Sequence, residues 1–269
     1  LIGFSNINTL VGSNSADTII GNDEDTTFAI TGIKSGSVNG ILFSSVENLQ
    51  GGSGNDKFIL TGSGKISGTV DGKGGTNTLD YSGYGEAVTL KLQTLTGTGL
   101  AKFASVQILI GSSNNDTLIG SDQGSTFRIT GIDSGNINDT FSFVSMETLQ
   151  GGNGNDTFVF STTASLSGDL KGGSGTDTLD YSSYGSAVVV NLTTGKASNV
   201  VKNISQLENL VGSVYDDSLT GDGQGNTITG LPGNDTLNGS GGNDIYIFAS
   251  DWGIDTVVEI ANGGTDKAD

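Results

Sequence analysis

Apolar residues fall along this chain in short runs that alternate, or nearly alternate, with polar ones: TFAIT from Thr27, KFILT from Lys57, AVTLKL from Ala87 and VVVNL from Val188. Each run is bounded by Gly, Ser, Asn or Asp. A period of two closed by turn formers predicts half-buried β-strands. No apolar stripe at 3.6 spacing persists over several turns, and Val, Ile, Thr and Gly, all weak helix formers, dominate. The chain is therefore expected to be all-β.

The strands belong to repeats. A unit of about 100 residues occurs twice, matching TFAITGIKSG at Thr27 to TFRITGIDSG at Thr126 and TLDYSGYG at Thr78 to TLDYSSYG at Thr178. A third copy opens with ENLVGSVYDDSLTG from Glu208, like NTLVGSNSADTIIG from Asn8 and QILIGSSNNDTLIG from Gln107, and then breaks into shorter tandem repeats. The expected segments are 1–98, 99–200 and 201–269, within one continuous solenoid. A Gly-rich phrase recurs inside them, beginning at Gly12, Gly51, Gly72, Gly111, Gly151, Gly172, Gly212 and Gly230, at gaps of about 20 or twice that. That spacing predicts a right-handed parallel β-solenoid with about 20 residues per coil, two main strands per coil and Gly/Asp-rich turns. TGIKSGSVNG at Thr31 is expected to fill a missing rung.

Composition supports stacking over an ordinary globular core. Only 33% of the 269 residues are hydrophobic and 45 are Gly. Twenty-nine Asp and Glu against eleven Lys and Arg give a net charge of −18, which disfavours nucleic acid or an anionic membrane as partner and makes a divalent cation the natural counter-charge. Cys is absent, so no disulfide or thiolate site staples the fold. No apolar run approaches the roughly 18 to 20 residues of a membrane span, and no membrane insertion is expected. A start at Leu1 and an end in GGTDKAD suggest a segment of a longer protein.

The phrase itself is Gly-Gly-x-Gly-x-Asp-x-(large apolar)-x, clearest as GGSGNDKFI from Gly51 and GGNGNDTFV from Gly151. Its glycines suit a tight turn with φ > 0, its Asp is a hard oxygen ligand, and its apolar residue starts a core-facing strand. These phrases resemble the nonapeptides of the RTX (repeats-in-toxin, haemolysin-type) calcium-binding proteins, with four end to end from Gly212 to Ile247. The resemblance implies a β-roll with Ca2+ held between turns one coil apart. Here most phrases are separated by β-rich sequence lacking the Asp, so intermittent calcium rungs are expected.

Coil spacing selects the candidate metal residues. Asp156 pairs with Asp177 and Asp217 with Asp235; Asp56 meets Asn77, and Asn226 meets Asp244, where loss of a charge should weaken binding. Gly151, Gly172, Gly212 and Gly230 shape these turns. Asp17 and Asp116 lack a strong partner and are expected to bind more weakly or to serve only their turns. Tyr81, Tyr84, Tyr181 and Tyr184 are expected to stack inside, and Trp252, in ASDWGIDTV, to continue the stacking or cap it.

No catalytic residues are expected. Without His or Cys the common bases and nucleophile pairs are missing, and nearly every recurring Asp is explained by the turn motif. The leading expectation is a non-catalytic, calcium-stiffened segment of an extracellular bacterial surface or secreted protein, a stalk, adhesin or matrix filament that folds on calcium after export. One alternative is the folding or secretion appendage of an enzyme, such as a protease, lipase or epimerase, whose catalytic domain lies elsewhere. Another is a solenoid binding carbohydrate, or ice, on a flat strand face, though the sequence shows no persistent Thr row. Further candidate partners are a second copy of the chain, joined head to tail, and a cell-surface or polysaccharide ligand.

Overall fold

The computed structural model describes residues 7–248, 253–260 and 263–269; Trp252 lies outside them. Among the described residues every regular element is a strand. They form two compact units, Leu1–Leu118 with Thr140–Met146, and Ile119–Asp139 with Glu147–Asp269.

In the first unit the strands Thr27–Gly32, Lys57–Gly62, Thr78–Tyr84 and Ile108–Ile110 lie side by side in parallel. Their register puts Phe28, Phe58, Leu79 and Leu109 in one column, all fully buried. Phe28 and Phe58 stack at 4.9 Å with their planes 3° apart. A second sheet contains Asn48–Gln50, Ile66–Asp71 and Leu100–Ala104, with Leu49, Val70 and Phe103 turned inward. Period-two alternation thus supplies two inner faces, and each coil places one residue of a column on the residue below it.

The second unit repeats the scheme. Thr126–Gly131, Thr157–Phe160, Thr178–Asp180, Asn209–Val211, Thr227–Thr229, Ile245–Ile247 and Lys267–Ala268 form one parallel ladder. Its buried column runs Phe127, Phe158, Leu179, Leu210, Ile228, Tyr246. A facing ladder of Val189–Asn191, Ser218–Thr220, Thr236–Ser240 and Thr256–Glu259 aligns Val190, Leu219 and Leu237. The all-β parallel solenoid read from the sequence is the architecture found.

Coil length is less regular than the expected 20 residues. Steps between equivalent turns are 30, 21 and 30 residues from Thr26 through Asp56 and Asn77 to Gln107. They are 21, 31, 18, 18 and 22 from Asp156 through Asp177, Glu208, Asn226 and Asp244 to Asp266. Long steps contain antiparallel excursions. TGIKSGSVNG is part of one, not a parallel rung: Thr27–Gly32 folds back on Ser35–Val38, which folds back on Ile41–Ser44. Asn39 (φ 46°) and Gly40 (φ 85°) make the two-residue turn between the last two, with the positive angles that a tight hairpin of matching twist requires. Alternation alone does not separate parallel from antiparallel pairing.

Tyr81, Tyr84, Tyr181 and Tyr184 are buried, each pair edge-to-face at 5.5 Å. Tyr81 OH donates to Thr98 O (2.8 Å) and Tyr181 OH to Ser198 O (2.5 Å), so each buried hydroxyl is satisfied. The register of the second unit also aligns Thr126, Thr157 and Thr178, then Asn209, then Thr227, a Thr row that sequence inspection misses because the coil steps are unequal.

Candidate metal centre

Each turn phrase ends in an acidic or amide residue immediately before a strand, so stacking the strands stacks these side chains. Asp156 N–H donates to Asp177 Oδ1 (2.7 Å), and Asp177 N–H to Glu208 Oε2 (2.7 Å). On the other edge of the second unit Asp217 N–H donates to Asp235 Oδ1 (2.7 Å) and Asp235 N–H to Asp255 Oδ1 (2.9 Å). Asn226 N–H donates to Asp244 Oδ1 (2.7 Å), and Asp244 N–H to Asp266 Oδ1 (2.9 Å). In the first unit Asp56 N–H donates to Asn77 Oδ1 (2.8 Å). All four pairs chosen by spacing are therefore adjacent, joined by one side-chain oxygen per rung.

The second oxygen separates the rungs. Asp156, Asp177, Asp235, Asp244 and Asp255 each have a buried Oδ2 without a hydrogen-bond partner. A buried, unpaired carboxylate oxygen costs several kcal/mol unless protonated or met by a cation. At Asn77 the equivalent atom is Nδ2, which donates to Gly74 O and Ser105 O, both at 2.8 Å. An amide thus fills a space ringed by carbonyl oxygens, and an aspartate in the same place adds one more oxygen to that ring. Oxygen-rich, buried and short of positive charge, the aspartate rungs fit a hard cation such as calcium.

Asp17, Asp116 and Asp217 behave differently: in their phrases the Ser after the first glycine bonds the aspartate, which Ser240 does not do for Asp244. Ser13 donates N–H (2.6 Å) and Oγ (3.0 Å) to Asp17 Oδ2. Ser112 donates N–H to Asp116 Oδ2 and Oγ to its Oδ1. Ser213 N–H donates to Asp217 Oδ2 (2.5 Å) and its Oγ to Oδ1 (2.8 Å). Spacing alone groups Asp217 with Asp156, Asp177 and Asp235; its bonds group it with Asp17 and Asp116.

The first glycines do something other than reach φ > 0. Positive angles occur later in the turns, at Gly173 (119°), Gly175 (134°) and Gly233 (151°), and even at Lys73 and Leu231, but not at Gly151, Gly172, Gly212 or Gly230. Those four are glycine because a Cβ there would overlap Oδ2 of Asp156, Asp177, Asp217 and Asp235 respectively. At Gly151 it would also strike Gly172 O, and at Gly172 it would strike Gln206 O. Carboxylate and carbonyl oxygens close on the space a side chain would fill.

Burial pushes Asp156 from its ordinary 3.8 up to about 6, with the Asp177 charge adding to the effect. Asp235 also rises to about 6, through burial and the charges of Asp217, Asp255 and Asp216. Burial raises Asp177, Asp217, Asp244 and Glu208 as well. Each is held against ionisation by its surroundings, and a divalent cation between coils would offset that cost.

Three residues escape the sequence reading: Asp255, Glu259 and Asp266. Asp255 lies in DWGIDTVV, where the glycine signature has decayed, yet Asp-Thr before an apolar pair repeats the Asp-Thr-Leu of Asp235. Asp266 belongs to the final GGTD.

Among known families, the RTX calcium-binding nonapeptide repeat matches in four copies, over residues 2–25, 146–159, 211–246 and 220–257. No curated protein matches the chain. The matched stretches include the turns of Asp17, Asp156, Asp217, Asn226, Asp235 and Asp244. The matched stretches are RTX repeats, and the ion that such nonapeptides bind is calcium.

Proposed function

We propose that the chain is a non-catalytic structural segment of a secreted or surface-exposed protein, and that calcium binding between its coils drives its folding outside the cell. One observation supports this above others: the partnerless buried oxygens of Asp156, Asp177, Asp235, Asp244 and Asp255. In this reading these aspartates hold the ions, with carbonyl oxygens of the turn glycines, and Asp217 contributes through the shared rung with Asp235. Asp56 belongs to a weaker rung, because Asn77 already supplies hydrogen-bond donors of its own.

With calcium scarce, several desolvated carboxylates oppose folding, and the acidic chain stays open. With calcium abundant, binding free energy becomes folding free energy. The lack of His and Cys, and the engagement of the recurring aspartates in turns, support a structural role over a catalytic one. No helix among the described residues is long and apolar enough to cross a membrane. The test is far-ultraviolet circular dichroism against free calcium. A β-signal that grows with calcium supports the reading, and a full, thermally stable β-signal in excess chelator defeats it.

A further inference from the structure

The residues matched to the repeat stop at 257. Just beyond, Glu259 and Asp266 meet Asp244, one carboxylate oxygen of each lying within 4.8 Å of the other two. Asp244 is 1% exposed, and its Oδ2 has no hydrogen-bond partner. Its Oδ1 is used by Asn226 N–H. An unpaired buried oxygen beside two further carboxylates is untenable as an isolated arrangement of negative charge and fits a cation.

The local sequence explains how a third carboxylate enters. Gly239 stands three residues after Thr236, and a Cβ there would overlap Asp244 Oδ2. Glu259 stands three residues after Thr256 in the next coil. A register shift pairs Glu259 with Ser240, and the step from Asp244 to Asp266 is 22 residues against 18 for the coil before. The longer turn leaves room for a side chain where the tighter turn requires glycine. Tyr246, 3% exposed, holds the glutamate in place: its hydroxyl accepts from Gly239 N–H (2.6 Å) and donates to Glu259 Oε1.

We propose that Asp244, Glu259 and Asp266 form a three-carboxylate cation site, one negative charge richer than the Asp156/Asp177 rung, with Tyr246 as the positioning residue for Glu259. It takes a hard cation of high charge density, calcium or a lanthanide, more tightly than the two-carboxylate turns, since affinity of such oxygen sites follows ligand charge and rigidity. It rests on the calcium reading above.

The whole chain is titrated with calcium by isothermal calorimetry and with terbium by luminescence excited through tyrosine, for which Tyr246 lies beside the site. Glu259→Gln is expected to weaken one class of site about tenfold, leaving the others in place; Asp266→Asn should do the same. Tyr246→Phe should dim the terbium emission while the number of calcium ions bound stays constant. A Glu259→Gln isotherm superimposable on the wild type overturns the proposal while the other rungs still bind. A wild-type chain that takes up no calcium overturns the calcium reading itself.

Discussion

Replacing Asp177 by Asn converts the Asp156/Asp177 rung into the Asp56/Asn77 rung that the chain already uses one long repeat earlier. Oδ1 keeps its place as acceptor of Asp156 N–H (2.7 Å), the role Asn77 Oδ1 has toward Asp56 (2.8 Å). The new Nδ2 would face Gln206 O, which shares the space beside Gly172 with Asp177 Oδ2, as Asn77 Nδ2 faces Ser105 O. The displacement of Asp156 from 3.8 to about 6 corresponds to about 3 kcal/mol of unfavourable ionisation at neutral pH. Burial is its main cause and the Asp177 charge a lesser one, so removing that charge should recover about 1 kcal/mol, and a gained hydrogen bond adds about 1 more. The calcium-poor variant should therefore be about 2 kcal/mol more stable than the wild type. Calcium at a thousandfold excess over its Kd stabilises the wild type by about 4.1 kcal/mol through an intact site, which the variant lacks. Melting temperatures measured across free calcium should cross: the variant melts about 5 °C higher at the low end and about 5 °C lower at the high end. Parallel curves would mean that Asp177 holds no calcium, and a variant less stable at every concentration would refute the account of its buried charge.

Gly151→Ala should cost about 2 to 3 kcal/mol in urea unfolding with calcium present, because its Cβ overlaps Asp156 Oδ2 and Gly172 O. Gly62→Ala, at φ 58° in open space, should cost only about 1 kcal/mol. The raised values at Asp156 and Asp235 fix the sign of the pH response in chelator: the folded form binds protons more tightly than the unfolded chain, so their stabilising contribution is complete below about 3.8 and is lost as pH rises through about 6. Circular dichroism in chelator should accordingly show more β-structure at pH 4.5 than at pH 7, and saturating calcium should reverse the order, since protons then compete with the ion. Phe158→Ala removes a fully buried ring stacked on Phe127 at 4.8 Å and should lower stability by about 3 to 5 kcal/mol whether or not calcium is bound, which separates core packing from metal linkage.

Strand and turn are covalently tied within each phrase, and this is why the turn pairs are legible in the sequence. Once Phe158 must stack below Leu179, Asp156 has no choice but to meet Asp177, and the spacing of 21 residues says as much. The same logic fails wherever the ladder is interrupted. Thr27–Gly32 and Ser35–Val38 carry the alternation of a parallel rung, and only the Asn39–Gly40 turn into Ile41–Ser44, with Gly36 packed against the Ala29 carbonyl, marks the segment as folding back on itself. Spacing is also blind to what one neighbouring atom does. Ser213 and Gly152 occupy the same place in their phrases, yet the serine hydroxyl and N–H occupy both oxygens of Asp217, whereas Oδ2 of Asp156 is left without a partner. A serine there can therefore close a turn on its own bonds, but its presence does not decide the matter: Ser240 leaves Asp244 Oδ2 without a partner, and Gly52 N–H reaches Asp56 Oδ2 at 3.0 Å. The full set of donors around each aspartate would then set which coils fold unaided and which wait for calcium. The substitution Ser213→Gly tests this at one position without adding an atom: it removes the hydroxyl that donates to Asp217 Oδ1 (2.8 Å) and should raise the calcium dependence of the Asp217 rung, read as the shift in melting temperature between chelator and saturating calcium, without disturbing the Phe127–Phe158 stack.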